Sequence, residues 1–196
     1  MRRTVLVIVA LAAAAVQLSA KVSLPAIISD NMVLQQKSEV KLWGWADPGE
    51  EVKVSSSWSR KVYSVQADAD GKWSVYVKTP RHCAGQELKF LSGSNGEETI
   101  VENILIGEVW LASGQSNIEF WTTPKKGSAW MTGMEGWEEQ IEDAEYPNVH
   151  LFKVEECWDH TAPHEDCKGQ WVVCSKETVQ NYSAVAFLFA RELHKA

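Results

Sequence analysis

Ile104-Leu105-Ile106-Gly107-Glu108-Val109-Trp110-Leu111-Ala112-Ser113-Gly114-Gln115-Ser116-Asn117-Ile118-Glu119-Phe120 is the stretch on which the reading of this chain turns. Its first half, residues 104–112, is a nearly continuous apolar run broken only by Gly107-Glu108. Such a run predicts a strand buried on both faces, as in a parallel sheet. A short polar turn comes next, and a helix is expected to begin near Ser116. A strand–turn–helix of this kind lifts a serine hydroxyl to the carboxyl edge of a sheet, where α/β proteins bind ligands. Gly114, lacking a Cβ, permits a tight turn just before Ser116. A helix start there would aim unpaired N–H groups and partial positive charge at a reacting centre. Those donors suit the oxyanion of a tetrahedral intermediate. Gln115 and Asn117 flank the serine as supporting residues. Glu119 in the first turn is favoured by the same dipole and reads as support, not as a base. Ser and Asn are also common helix caps, and from spacing alone a plain cap is the stronger reading. The motif is not G-x-S-x-G, because Ile118 stands where the second glycine belongs.

On either side of this stretch the pattern differs. Residues 21–103 read as an all-β domain, a small sandwich of short strands separated by turn residues. Strand patterns cover 40–45, 51–55, 61–66, 72–78, 87–92 and 98–102. Asp47-Pro48-Gly49 stops the first, and Asp70-Gly71 between two alternating runs is a local hairpin signal. Residues 104–196 read as α/β. Beyond the quoted strand, 149–154 offers another, and 183–195 is a helix capped by Ser183 or Asn181. Val185, Leu188, Phe189 and Leu193 share one face of that helix. Two strands do not make a parallel sheet covered on both sides, so the chain is expected to end inside a larger α/β domain. Residues 1–20 carry Arg2-Arg3, an apolar run over 5–16 and a small residue at Ala20, the layout of a secretory signal peptide. The apolar run is short for a membrane span, so no stable anchor is expected. The expected location is outside the cytoplasm, secreted or periplasmic.

A net charge of −7 argues against duplex nucleic acid as a partner, since phosphate contacts need clustered Lys and Arg. The acidic stretch 135–145, interleaved with apolar residues, reads as a solvated helix face. Export makes disulfides possible among the four cysteines Cys83, Cys157, Cys167 and Cys174, with Cys157–Cys167 favoured by proximity. His160 and His164 lie between those two, but the spacing matches no structural zinc pattern, and no metal is expected. Of the ten tryptophans, Trp43, Trp45, Trp58 and Trp73 are expected to fill or flank the sandwich core. Trp121, just past the serine, is the candidate wall for a sugar substrate. Trp130, Trp137 and Trp158 fall in loops.

The block from Trp110 to Phe120, with its Gly114-Gln115-Ser116-Asn117 followed by Ile118 and Glu119, resembles the nucleophile block of the sialate O-acetylesterase family, a branch of the SGNH hydrolases. The opening Ser23-Leu24-Pro25-Ala26-Ile27-Ile28-Ser29-Asp30-Asn31-Met32-Val33-Leu34-Gln35, residues 40–48 and residues 171–195 are similar to that family as well. The resemblance implies a β-sandwich ahead of the N-terminal part of an SGNH-type esterase domain. It implies removal of acetyl groups from sugar hydroxyls, with Ser116 as nucleophile and its N–H in the oxyanion hole. O-acetylated carbohydrate is then the partner, whether sialic acid or a polysaccharide such as xylan, and the route needs no cofactor. The family's base comes from a late D-x-x-H motif that this sequence lacks, and further oxyanion donors of the family, a glycine and an asparagine, would lie beyond Ala196. None of His82, His150, His160, His164 and His194 falls on a matching motif. A serine hydroxyl is a poor nucleophile without a positioned base, so the chain alone is expected to be inactive. The rival reading is a carbohydrate-binding β module or an inactive truncated product.

Overall fold

The computed structural model describes residues 21–93, 96–157 and 161–196. The expected signal peptide, His160 and Trp158 lie outside them. Seven strands come first: β1 (Val33–Gln35), β2 (Glu39–Trp45), β3 (Glu51–Ser56), β4 (Ser59–Gln66), β5 (Lys72–Lys78), β6 (Cys83–Ser92) and β7 (Glu97–Gly107). They form a five-stranded sheet in the order β1-β7-β6-β3-β4 and a two-stranded sheet of β2 and β5. Pairing is antiparallel except for β1, which runs parallel to β7 with Val33 opposite Leu105.

The alternation in these strands explains the packing. Successive side chains point to opposite faces, so Val52 and Val54 of β3 enter the core while Glu51 and Lys53 face water. Leu42, Trp73 and Val77 from the small sheet meet Val52, Val54, Leu88, Phe90, Val101, Ile104 and Ile106 from the large one. Trp73 and Phe90 touch across the interface with ring centroids 5.7 Å apart. Trp43 and Trp58 pack on the rim of the same cluster.

Asp70-Gly71 does form a tight turn, but it does not close a hairpin of β4 with β5. The hairpin is β3 with β4, joined at Ser57-Trp58, and β5 pairs with β2. At residues 68–71 the chain crosses from one sheet to the other. The Asp68 carboxylate accepts from the Asp70 and Lys72 amides at 2.9 and 2.8 Å, a side-chain mimic of a backbone turn. Gly71 has φ 76°, and a Cβ there would lie 2.5 Å from the Ala46 carbonyl oxygen. Turn chemistry therefore fixes where the chain bends, while the partner strand is chosen by which faces are apolar.

The remaining elements are α1 (Ser116–Glu119), α2 (Trp137–Glu142), β8 (Tyr146–Phe152), β9 (Trp171–Cys174) and α3 (Ala184–Lys195). Strands β8 and β9 pair antiparallel. A second, smaller core joins Ile141, Ala144, Leu151, Cys174, Val179 and Phe187. The acidic helix α2 turns Ile141 inward and its glutamates outward, as its patterning predicts.

The structure corrects three expectations. The strand expected over 104–112 stops at Gly107. Ile104, Leu105 and Ile106 are buried, but as the end of β7, and Val109, Trp110 and Leu111 are exposed. The apolar stripe of α3 is split: Leu188 packs against the second core while Val185, Phe189 and Leu193 stay exposed, and the buried residues of the helix are Ala184 and Phe187. The expected Cys157–Cys167 disulfide is not formed, and all four cysteines are free. Cys157 instead sits with Sγ 3.9 Å from His164 Nε2 in an exposed loop, and Cys174 is taken up by the second core. Burial and the nearby Glu145 charge push the Cys174 thiol up to about 11, so it stays protonated.

The two halves meet through specific polar contacts. Trp171 Nε1 donates to the Ile27 carbonyl at 2.8 Å, and the Ala26 amide donates to Asp166 at 2.9 Å. His150 Nδ1 lies 2.6 Å from the Asn31 carbonyl.

Candidate active site

The path to Ser116 begins at the end of β7. Glu108 is clamped there by Gln35 and Gln36, whose side-chain amides donate to its two carboxylate oxygens at 2.9 and 2.7 Å. Those bonds hold the Glu108 carboxyl below its ordinary range. The Val109 amide donates in turn to Gln35 Oε1 at 3.0 Å, so the chain leaves the sheet in a fixed direction. It then runs exposed to Ser116, the first residue of α1.

Helix α1 is a single turn. The Ile118 and Glu119 amides donate to the Gln115 carbonyl at 2.9 and 3.1 Å, and the Phe120 amide donates to the Ser116 carbonyl at 3.1 Å. The amides of Ser116 and Asn117 lie at the open end, and among the described residues neither has a hydrogen-bond acceptor. With four residues the macrodipole is small, so these two N–H groups supply most of the positive potential. Neither Gln115 nor Asn117 caps the turn through its side chain. Gly114 matters for a reason other than a left-handed backbone: a Cβ there would lie 2.9 Å from Ile118 Cγ1. The missing side chain lets the turn fold back onto Ile118.

The segment after α1 is pinned firmly. Thr122 is fully buried, with its hydroxyl 2.7 Å from the carbonyls of Val179 and Gln180. The Thr122 amide donates to the Tyr182 carbonyl at 2.9 Å, and the Ala184 amide to the Phe120 carbonyl at 2.8 Å. Trp121 bridges to Ser183, whose side chain accepts from Ala186 and caps α3. Tyr182 Oη donates to the Leu151 carbonyl at 3.1 Å. The serine turn therefore hangs from the start of α3 and from β8.

Trp121 carries two cations. Lys125 Nζ lies 4.7 Å and Lys153 Nζ 4.6 Å from its ring centroid. Burial pushes the Lys153 ammonium below its ordinary value, helped by the Lys125 charge and opposed by Glu156 and Glu119. Glu119 thus acts on Lys153 through space. Beside them, Lys125, Lys126, Gly127, Ser128, Ala129 and Trp130 line an open depression of about 310 Å³.

Comparison with known proteins supplies the relationship. Sialate O-acetylesterase from Pongo abelii is 29% identical over 188 residues, covering 85% of this chain and 33% of that protein. Sialate O-acetylesterase from Homo sapiens is 28% identical over the same length and coverage. The chain is sialate O-acetylesterase-like. It spans about a third of the length of these curated relatives. A crystal structure of a carbohydrate acetylesterase from Xanthomonas citri superposes with a TM-score of 0.78 at 27% identity, over 89% of this chain and 38% of that one. No protein-family model matches.

In this sialate O-acetylesterase-like chain, Gly114, Gln115, Ser116, Asn117 and Glu119 stand together on one exposed turn, and Trp121 lies just past its end. No described histidine joins them. His82 is held through its amide by Gln36, His150 is buried against Asn31, His164 lies beside Cys157, and His194 stacks edge-on to Tyr146 at 5.7 Å. Among the described residues no cluster of three or more His, Cys, Asp and Glu side chains converges as a metal site. None of the described helices is long and apolar enough to cross a membrane. Sequence reading missed Thr122, Lys125 and Lys153. A Thr in a polar stretch and two lysines far apart in sequence carry no local pattern that marks them as neighbours.

Proposed function

We propose that the protein is an exported carbohydrate O-acetylesterase that uses Ser116 to cleave acetyl esters on sugar hydroxyls. The observation that carries this reading is the exposed Ser116 at the first position of α1, beside two amides with no acceptor among the described residues. The relationship to sialate and carbohydrate acetylesterases supports it. The Ser116 hydroxyl attacks the acetyl carbonyl carbon as a general base removes its proton. The carbonyl oxygen becomes an oxyanion facing the Ser116 and Asn117 amides. Collapse expels the sugar oxygen, which takes the proton, and leaves an acetyl ester on Ser116. Water then attacks that ester, the serine regains its proton, and acetate leaves.

The base belongs, in this proposal, to residues outside these 196, which form a β region followed by the front of an SGNH-type catalytic domain. That no described histidine contacts Ser116, and that the relatives are about three times longer, supports this. Residues 1–20 act as the export signal.

Acetate release from an O-acetylated sugar by the native protein tests the activity. Ser116→Ala is expected to lower it by about a thousandfold or more, the usual scale for losing a nucleophile. The 196-residue chain alone should hydrolyse an aryl acetate no faster than its Ser116→Ala variant. Fast turnover by the chain, abolished in that variant, would refute the missing base while upholding the nucleophile.

A further inference from the structure

We propose that Thr122 is a positioning residue for the reaction at Ser116, its buried hydroxyl fixing where the serine turn stands. This rests on the acetylesterase reading for the chemistry, but not for the coupling of Thr122 to the turn.

A single helical turn has little stiffness of its own, because nucleating a helix fixes several residues for very few bonds. Helix α1 is four residues long, so its orientation has to come from its flanks. The approach to it is loose: residues 110–114 make no hydrogen bond among the described residues, and Leu111 is almost wholly exposed. The departure is the opposite. The Phe120 amide ties the Ser116 carbonyl at 3.1 Å, and the Phe120 carbonyl receives the Ala184 amide at 2.8 Å. Two residues on, Thr122 grips the turn at 179–182 at three points. Its amide donates to the Tyr182 carbonyl at 2.9 Å, and its hydroxyl lies 2.7 Å from both the Val179 and Gln180 carbonyls. That turn is itself closed, by the Tyr182 amide on the Val179 carbonyl at 3.0 Å. The buried Val179 seats it in the second core, and Tyr182 Oη ties it to the Leu151 carbonyl.

Only the hydroxyl is particular to this residue, since almost any residue at 122 would supply the amide. A hydroxyl has one proton, which the two carbonyls share, and a β-branched side chain holds it in a narrow range of directions. Thr122 has no exposed surface, so water does not compete for that bond. Loss of the hydroxyl keeps the shape of the side chain and loosens segment 120–122 against 179–184. A displacement of about 1 Å at a reacting group costs about a hundredfold in rate, so a smaller loosening still reaches Ser116 as a rate effect. Being sealed from solvent, Thr122 touches no substrate, and its effect falls on kcat.

The test compares Thr122→Val, Thr122→Ser and Val54→Ala in the native protein, each assayed with 4-nitrophenyl acetate well below its unfolding temperature. Thr122→Val removes the hydroxyl, Thr122→Ser keeps it, and Val54→Ala weakens the fold through the first core instead. Thr122→Val should lower kcat about tenfold or more and leave KM within about twofold. Thr122→Ser should recover most of that loss, and Val54→Ala should keep kcat within about twofold of wild type. In ¹⁵N spectra of the 196-residue chain, the Ser116 and Asn117 amides should shift in Thr122→Val and stay in place in Val54→Ala. An unchanged kcat in Thr122→Val, an equal fall in Thr122→Ser or Val54→Ala, a change confined to KM, or unmoved Ser116 and Asn117 amides would overturn the proposal. Loss of the acetylesterase reading would show separately, as native protein that releases no acetate while those two amides still respond to Thr122→Val.

Discussion

The strands up to Gly107 and the segments after it handle apolar residues in opposite ways. In the first region Val52, Val54, Leu88 and Phe90 are all sealed from water by a facing sheet within the same stretch of chain. After Gly107, Leu111 is 92% exposed and Trp110 63%, and the outer face of α3 presents Phe189 beside Trp110 at 5.1 Å between ring centroids. An alternating strand states which face is core, whereas a continuous apolar run states only that both faces want cover. The first instruction can be met locally. The second depends on what else is packed alongside, so the same hydrophobicity yields a sealed core in one place and an open apolar surface in the other.

That contrast can be broken by substitution. Phe90→Ala should cost about 3–5 kcal/mol in urea denaturation, because a fully buried aromatic leaves a cavity between two sheets. A loss under about 1 kcal/mol would mean the first core is far looser than its packing indicates. Thr122→Val should cost about 1–3 kcal/mol, since the buried hydroxyl is lost from the Val179 and Gln180 carbonyls. It should also speed amide exchange at Phe120 and Ala184, which a purely local effect would leave alone.

His150, at the junction of the two regions, gives a pH-dependent version. Burial pushes its pKa down against smaller opposing effects of its bonds to the Asn31 and Pro147 backbone. The folded protein therefore prefers the neutral ring. The resulting stability is fully present above the ordinary imidazole value of about 6.5 and is lost as pH falls through the lowered value. The urea midpoint should drop between neutral pH and pH of about 5, and drop less in His150→Asn, whose amide can replace the Nδ1 contact. Equal slopes in both proteins would rule out His150 as the source. Smallest of all, Leu111→Ser should move stability by no more than about 0.5 kcal/mol. A large loss would show that Leu111 is covered in solution.

Much of the fold was legible wherever the signal was local. The strand predicted over 72–78 forms as β5, the bend at Asp70-Gly71 is present, and Ser183 caps α3. Pairing was not legible: Asp70-Gly71 looked like a hairpin because nothing in the turn says which sheet the next strand joins. Strands β1 and β9 went unread because three and four residues are too short to show a period. At the site, Ser116 stood out through its glycine, its turn and the helix start. Lys153 did not, because only the fold of β8 brings it to Trp121.

The central claim is that Ser116 is the nucleophile. An alkyl fluorophosphonate tests it directly, since the attacking serine oxygen displaces fluoride and retains the phosphonyl group. After incubation with the native protein and trypsin digestion, mass spectrometry should place the adduct on Ser116 within the peptide spanning 90–125. The adduct should appear in step with loss of acetate release. An unmodified Ser116 in protein whose acetate release has been abolished, or an adduct confined to another serine, would contradict the account.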